Sequence, residues 1–311
     1  MTVTVDLIID CGPQVGMGHL SRSTTLARAL QARGAAVRLL VTDSLGVHSP
    51  EALQTELLTT ALFAPADMVI VDGLRFTAEE VEIRRPPNGL FVVIDDLGDR
   101  PVACDVLVNQ NIYGDRLAYR GYQYEDALLG PKWALIKAAF TATRDGARRT
   151  EPRALLTFGG GVTGAVGVDV ARRMAQQFSG PIDIALGPLS GVGETDLPAN
   201  VTVHRGADMP DLMARATLYV GSLGVTFLEA LAAALPAIAV CVVDNQKLAL
   251  DAARDLGLTV FDTPDAAAIA EAALAALADP HPLVLDQPDG HGAARTAEAL
   301  LTALSAKQQR G

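Results

Sequence analysis

VGMGHLSR, Val15 to Arg22, lies just after the apolar run TVTVDLII and at the start of a helical pattern. A strand, a glycine-bearing turn and a helix start, in that order, make a βα unit. Its turn stands at the carboxyl end of the strand, where a ligand can approach the backbone. Gly16 and Gly18 put no side chain in the way. No third glycine follows, so the turn falls short of a dinucleotide fingerprint. His19 sits in the first turn of the coming helix, where the dipole favours the neutral imidazole that a general base requires. The same position equally suits a histidine that only hydrogen-bonds the turn. The helix is expected from about His19 to Arg33, with Leu26, Ala27 and Leu30 facing a core and Gly34 as its stop signal.

Working outward, the same alternation recurs along the chain. AVRLLVT, DMVIVD, LFVVIDD and DVLVN follow in the first half, and ALLGPKWALIK reads as a strand with a turn at Gly130-Pro131. Apolar runs of this length between Ala/Leu-rich helices predict parallel sheets covered on both faces, an α/β architecture. The polar, charged segment from Thr141 to Arg153 reads as a linker. It divides the chain into a domain over residues 1–145 and another over 151–311, with the last helix, from about Gly292 to Lys307, packing back on the first. A length of 311 residues suits two such domains.

Composition narrows the function classes. The net charge is −11, with no Lys/Arg cluster to meet nucleic acid. Half the residues are apolar, yet no uninterrupted stretch approaches the ~20 residues of a membrane span. The opening residues lack a basic leader pattern, and the three scattered cysteines have no metal or redox spacing. A cytoplasmic protein with no metal and no cofactor is expected.

The second half repeats the strand–glycine–helix logic. LLTFGGGVTG places Gly159, Gly160 and Gly161 after a buried strand. GSLGVTFLEA places Gly224, Val225 and Thr226 at a helix start, where N–H groups and a hydroxyl can meet phosphate oxygens, with Glu229 nearly on the same face and suited to ribose hydroxyls. An ordinary capped helix with a solvated Glu229 is the plain alternative. Asn245 and Gln246 follow another strand end, Asn245 also reading as an N-cap. Asp95 and Asp96 close a strand in the first half; without further ligands nearby, orienting a substrate or holding structure suits them better than binding a metal.

Taken together, VGMGHLSR, VIDDLGDRPVACDVLVNQN, ALLGPKWALIKAAF, LLTFGGG, DMPDLMARA, GVTFLEALAAALP and DNQ occur in order between about residues 10 and 246. In these stretches the chain resembles the UDP-sugar hydrolases of the pseudaminic acid pathway, which have the GT-B fold. The GlyXGlyHis element is shared more widely among GT-B proteins. The resemblance implies two Rossmann-like domains facing across a cleft, with a UDP-linked sugar as substrate and UDP as leaving group. It implies His19 as the catalytic base for inverting attack of water on the anomeric carbon. Asp10, Gly16, Gly18, Arg22, Asp95, Asn245 and Gln246 would face the substrate. Gly159, Gly160, Gly161, Gly224, Val225, Thr226 and Glu229 would hold the nucleotide. The alternative is a GT-B glycosyltransferase, in which His19 deprotonates a small-molecule acceptor.

The departures from that family are at Ile8, where an arginine is usual, and at Gly73-Leu74, where histidine and tyrosine are usual. Val162 stands for an aspartate and Val225 for a serine. They imply a changed substrate, with Gly73 and Leu74 leaning towards a larger or less polar ligand.

Overall fold

The apolar runs assemble into two all-parallel sheets in a computed structural model that describes residues 2–11, 17–42, 55–57, 66–144, 149–158, 164–187, 190, 192, 196–281 and 283–310. The chain divides into two compact units. One takes Met1–Val15, His19–Leu135 and His291–Gly311; the other takes Gly16–Gly18 and Ile136–Gly290.

The first unit contains β1 (Thr4–Ile9), α1 (Gly18–Gln31), β2 (Ala36–Val41), β3 (Thr55–Leu57), β4 (Met68–Asp72), α2 (Ala78–Glu82), β5 (Leu90–Ile94), β6 (Val106–Asn109) and β7 (Asp126–Leu129). Its strands lie in the order β3-β2-β1-β4-β5-β6-β7. β1, β4 and β5 are buried on both faces, as their unbroken Val/Ile/Leu runs require in a sheet with helices on both sides. α1 buries Leu26, Ala27 and Leu30 on one face. It ends where Gly34 adopts φ +87°, a conformation costly for a residue with a Cβ.

The second unit contains β8 (Ala154–Thr157), α3 (Gly164–Met174), β9 (Ile182–Leu186), β10 (Val201–Arg205), α4 (Met209–Arg215), β11 (Leu218–Ser222), α5 (Val225–Ala232), β12 (Ala237–Val240), α6 (Lys247–Asp255), β13 (Thr259–Phe261) and α7 (Ala266–Ala278). Its strand order is β10-β9-β8-β11-β12-β13. α3 and α7 cover one face through Val168, Ala171, Met174, Ile269, Ala273 and Leu277.

The last helix, α8 (Gly292–Arg310), belongs to the first unit. Ala293, Ala297, Leu300 and Leu304 pack into the cluster that holds Val5, Leu7 and Ile9. At its far end Lys307 pairs with Asp105 at 2.7 Å and Arg310 with Glu125 at 2.8 Å. A Cβ on Gly292 would lie 2.3 Å from the Ala134 carbonyl oxygen, so the helix starts on a glycine by steric need.

The polar segment read as a linker is fastened in part. The units change at Ile136, before it. Ala138–Thr143 form a 3-10 helix that buries Phe140. Arg144 donates to the carbonyls of Ala232, Leu285 and Pro288, and Arg149 to those of Thr143 and Ala233. Arg144 and Arg149 therefore serve backbone acceptors inside the second unit, while Arg153 pairs with Asp183 and Glu151.

Candidate active site

In each sheet the strand order reverses beside the first strand, at β1/β4 in one unit and at β8/β11 in the other. Crossovers leave such a pair on opposite faces, which opens a crevice at their carboxyl ends. The candidate residues gather at these two edges.

At the edge of the first unit, α1 presents His19, Arg22 and Ser23 on one face, and β4 ends in Asp72. His19 Nδ1 lies 2.6 Å from Asp72 Oδ1. Arg22 grips both oxygens of the same carboxylate, Nε to Oδ2 at 2.9 Å and Nη2 to Oδ1 at 2.6 Å, and the Ser23 hydroxyl donates to Oδ2 at 2.7 Å. Asp72 is fully buried and His19 is 7 % exposed. Burial opposes ionisation of Asp72, but the charges and hydrogen bonds of Arg22 and His19 outweigh it and hold the carboxyl well below the usual carboxylate range. Arg22 Nη2 also lies 3.0 Å from Nδ1, but it donates at 2.6 Å to Asp72 Oδ1. An ionised Asp72 only accepts, so the shorter Nδ1–Asp72 contact assigns the proton to Nδ1 and the lone pair to Nε2. This is the tautomer of a histidine set to take a proton.

Three residues expected to face a substrate have protein partners instead. All three guanidinium nitrogens of Arg22 are engaged, the third with Asp96. Asp10, 1 % exposed, accepts from Thr42 and from the side chain and backbone of Arg75. Its own N–H donates to the Asp72 carbonyl at 2.8 Å, which ties the ends of β1 and β4 together. Asp95 accepts from the N–H groups of Leu97 and Gly98 and from the Tyr122 hydroxyl. Their side chains build the edge; they do not project from it. Gly73 likewise opens no space for a larger ligand: a Cβ there would stand 2.4 Å from Asp10 Cβ and 2.7 Å from the Phe76 ring. Ile8, in place of the family's arginine, is a core residue packed with Leu40, Val69 and Val71.

At the edge of the second unit, α5 starts after Gly224, which is extended and supplies no side-chain cap. Among the described residues, a Cβ on Gly224 would meet nothing within 4 Å. No acidic residue stands in the first turn of α5. Val225 and Thr226 are half-buried at the helix start, whereas Glu229 is 8 % exposed. Burial pushes the Glu229 carboxyl up to about 8, opposed by the charge of Lys137 and a hydrogen bond with Thr226. The plain alternative of a solvated Glu229 is therefore excluded. Gln246 Oε1 accepts from the Val242 N–H, and Asn245 is exposed in a 3-10 turn, Asp244–Gln246, without capping α6. Gly18 begins α1; Gly16, Gly159, Gly160, Gly161 and Val162 lie outside the described residues.

Asp72 heads the Asp72-Gly73-Leu74 element that the family resemblance sets near the sugar, but its pairing with His19 was not anticipated from the sequence. It stands 53 positions from His19, and only the pairing of β4 with β1 brings the two together. The available signal was the aspartate closing DMVIVD, a carboxylate at a strand end on the side where ligands bind. Among the described residues no three His, Cys, Asp or Glu side chains gather in a group suited to a metal ion, and no helix is long and apolar enough to cross a membrane.

No protein-family model and no curated protein sequence matches the chain. Solved structures do. Arabidopsis thaliana UGT89C1 in complex with quercetin is 14% identical over 98% of both chains, with a TM-score of 0.60; the same protein is also solved with UDP-L-rhamnose. Acinetobacter baumannii MurG is 16% identical over 96% of this chain and 99% of its own, with a TM-score of 0.55. The spinosyn forosaminyltransferase SpnP is 16% identical over 99% of this chain and 96% of its own, with a TM-score of 0.61. At such identities the likeness speaks for architecture, and over nearly its whole length this chain has the GT-B fold of those glycosyltransferases.

Proposed function

We propose that the protein transfers a glycosyl group from a nucleotide-activated sugar to an acceptor, with inversion at the anomeric carbon and His19 as the base. The observation that carries this reading is the 2.6 Å contact between His19 Nδ1 and Asp72, which leaves Nε2 with a lone pair at a ligand-facing strand edge. Nε2 takes the proton of an acceptor O–H or N–H as that atom attacks the anomeric carbon. The bond from that carbon to the nucleoside diphosphate breaks on the opposite side. Asp72 stabilises the imidazolium formed. In the second unit, the N-terminus of α5 suits a diphosphate: its first turn holds no acidic residue, and a Cβ on Gly224 would meet no described residue within 4 Å. Glu229, largely protonated at neutral pH, offers the ribose hydroxyls both a donor and an acceptor. UGT89C1, solved with UDP-L-rhamnose, supports a nucleoside-diphosphate donor, UDP-linked by the sequence resemblance.

Hydrolysis, the same step with water as acceptor, is the second reading. It is favoured by the stretches VIDDLGDRPVACDVLVNQN and ALLGPKWALIKAAF, which follow the hydrolase pattern. Incubation with a panel of UDP- and TDP-sugars, with and without alcohol, phenol and amine acceptors, tests both. Diphosphate release that depends on acceptor and yields the inverted anomer supports transfer. Release at full rate without acceptor supports hydrolysis. No release from any donor, under either condition, overturns the proposal.

A further inference from the structure

Arg22 is shared between two carboxylates. Nε and Nη2 serve Asp72, Nη2 lying also 3.0 Å from His19 Nδ1, while Nη1 donates to both oxygens of Asp96 at 2.9 Å. Asn111 Nδ2 fixes Asp96 from the other side at 2.7 Å. Asp96, with its side chain 13% exposed, sits on the loop after β5 and bonds to Arg22 and Asn111. The other ionisable groups at this edge do not alter the balance. Burial, with the charge of Asp96 adding to it, pushes the Tyr113 phenol above its ordinary range and keeps it neutral. Asp95 is occupied by Leu97, Gly98, Tyr122 and, at 3.6 Å, Arg100. Two carboxylates thus face one guanidinium while His19 is neutral.

We infer that Asp96 is a positioning residue that acts on the His19–Asp72 pair through Arg22, leaving that pair one uncompensated negative charge which protonation of His19 cancels. If Arg22 served Asp72 alone, their ion pair would already be neutral. The imidazolium formed in the reaction would then be a buried cation without a counter-charge, which is costly. Sharing Arg22 with Asp96 removes that cost and still clamps Asp72 from two sides. The inference deepens the reading of His19 as base and rests on it for its catalytic consequence. The charge sharing itself is a property of the free protein.

The test therefore has two readouts. In the free protein, nitrogen-correlated NMR of His19 should show a downfield Nδ1–H proton. Asp96→Asn should move it upfield, because Arg22 then commits fully to Asp72, and Arg22→Lys, which keeps the charge but cannot serve both carboxylates, should move it as well. In turnover, Asp96→Asn should lower kcat by roughly ten- to thirtyfold, the effect of one unbalanced charge at this range in a protein's effective dielectric, with KM little changed. Asp96→Glu should recover most of that loss. In a His19→Ala background Asp96→Asn should cost nothing further, because its effect passes through His19. An unmoved His19 resonance in both variants, or an equal loss in both backgrounds, overturns the inference. A shifted resonance in a protein inactive on every nucleotide sugar supports the charge sharing and sinks the glycosyl-transfer reading instead.

Discussion

Replacing Glu229 by glutamine should remove a pH dependence of stability that the native protein carries. The carboxyl is buried on α5, and burial raises it from 4.5 to about 8 in spite of Lys137 and Thr226. In the unfolded chain it returns to its ordinary value. Between these two values the folded protein holds a proton that the unfolded chain has released. The group's contribution to stability is thus fully present below pH 4.5 and is lost as the pH rises through about 8. The slope is ~1.4 kcal/mol per pH unit, so the loss across the window amounts to roughly 4–5 kcal/mol. Glutamine keeps the shape and cannot ionise. Urea denaturation followed by circular dichroism should give parent and Glu229→Gln similar stabilities at pH 5 and the variant a clear advantage at pH 9. A stability difference that is the same at both pH values would refute the assignment of a buried, proton-holding acid at this position.

Gly224→Leu should abolish UDP binding in calorimetry while leaving the melting temperature in place, because its Cβ would meet no described atom within 4 Å and its longer side chain would occupy the space proposed for the diphosphate. Binding as tight as the parent's would move the diphosphate elsewhere. Gly73→Ala should cost ~1–3 kcal/mol of stability by overpacking, since its Cβ would stand 2.4 Å from that of Asp10. An unchanged thermal midpoint would mean that the Asp10–Phe76 wall yields freely. Asp72→Ala, which leaves Arg22 paired with Asp96 but with its buried Nε and Nη2 donors short of a partner, should lower stability by ~1–3 kcal/mol as well as activity. A variant as stable as the parent would show that the cluster is not held as described.

What was legible in the chain was what local pattern dictates. Unbroken apolar runs became parallel strands, Gly34 stopped α1, and the glycines at Gly18 and Gly224 marked helix starts at strand edges. α7 was not anticipated, because AAAIAEAALAALA fills nearly every position with alanine and has little polar face to give a period. Partnership was invisible for a different reason. Arg22 and Asp10 look like ligand contacts in a sequence because both are charged and stand near the glycine turn. The structure pairs each with a residue at or just beyond another strand end, Asp72 and Arg75, that no local spacing connects to it. Gly73 read as added room, yet its missing Cβ is required by Asp10 and Phe76 arriving from other parts of the fold. Side-chain chemistry at a sheet edge follows strand order, and strand order is a property of the whole chain.

The most direct test of His19 as the base compares turnover and nucleotide affinity in His19→Ala. With a donor on which the parent is active, kcat should fall by the ~10²–10⁴-fold typical of a lost general base, while the dissociation constant for UDP stays within about twofold of the parent's. The reason is that the groups proposed to hold the diphosphate and ribose, Gly224 to Thr226 and Glu229, stand on α5 of the other unit. A variant that keeps its turnover but loses its affinity for UDP would contradict this, and would make His19 a phosphate ligand.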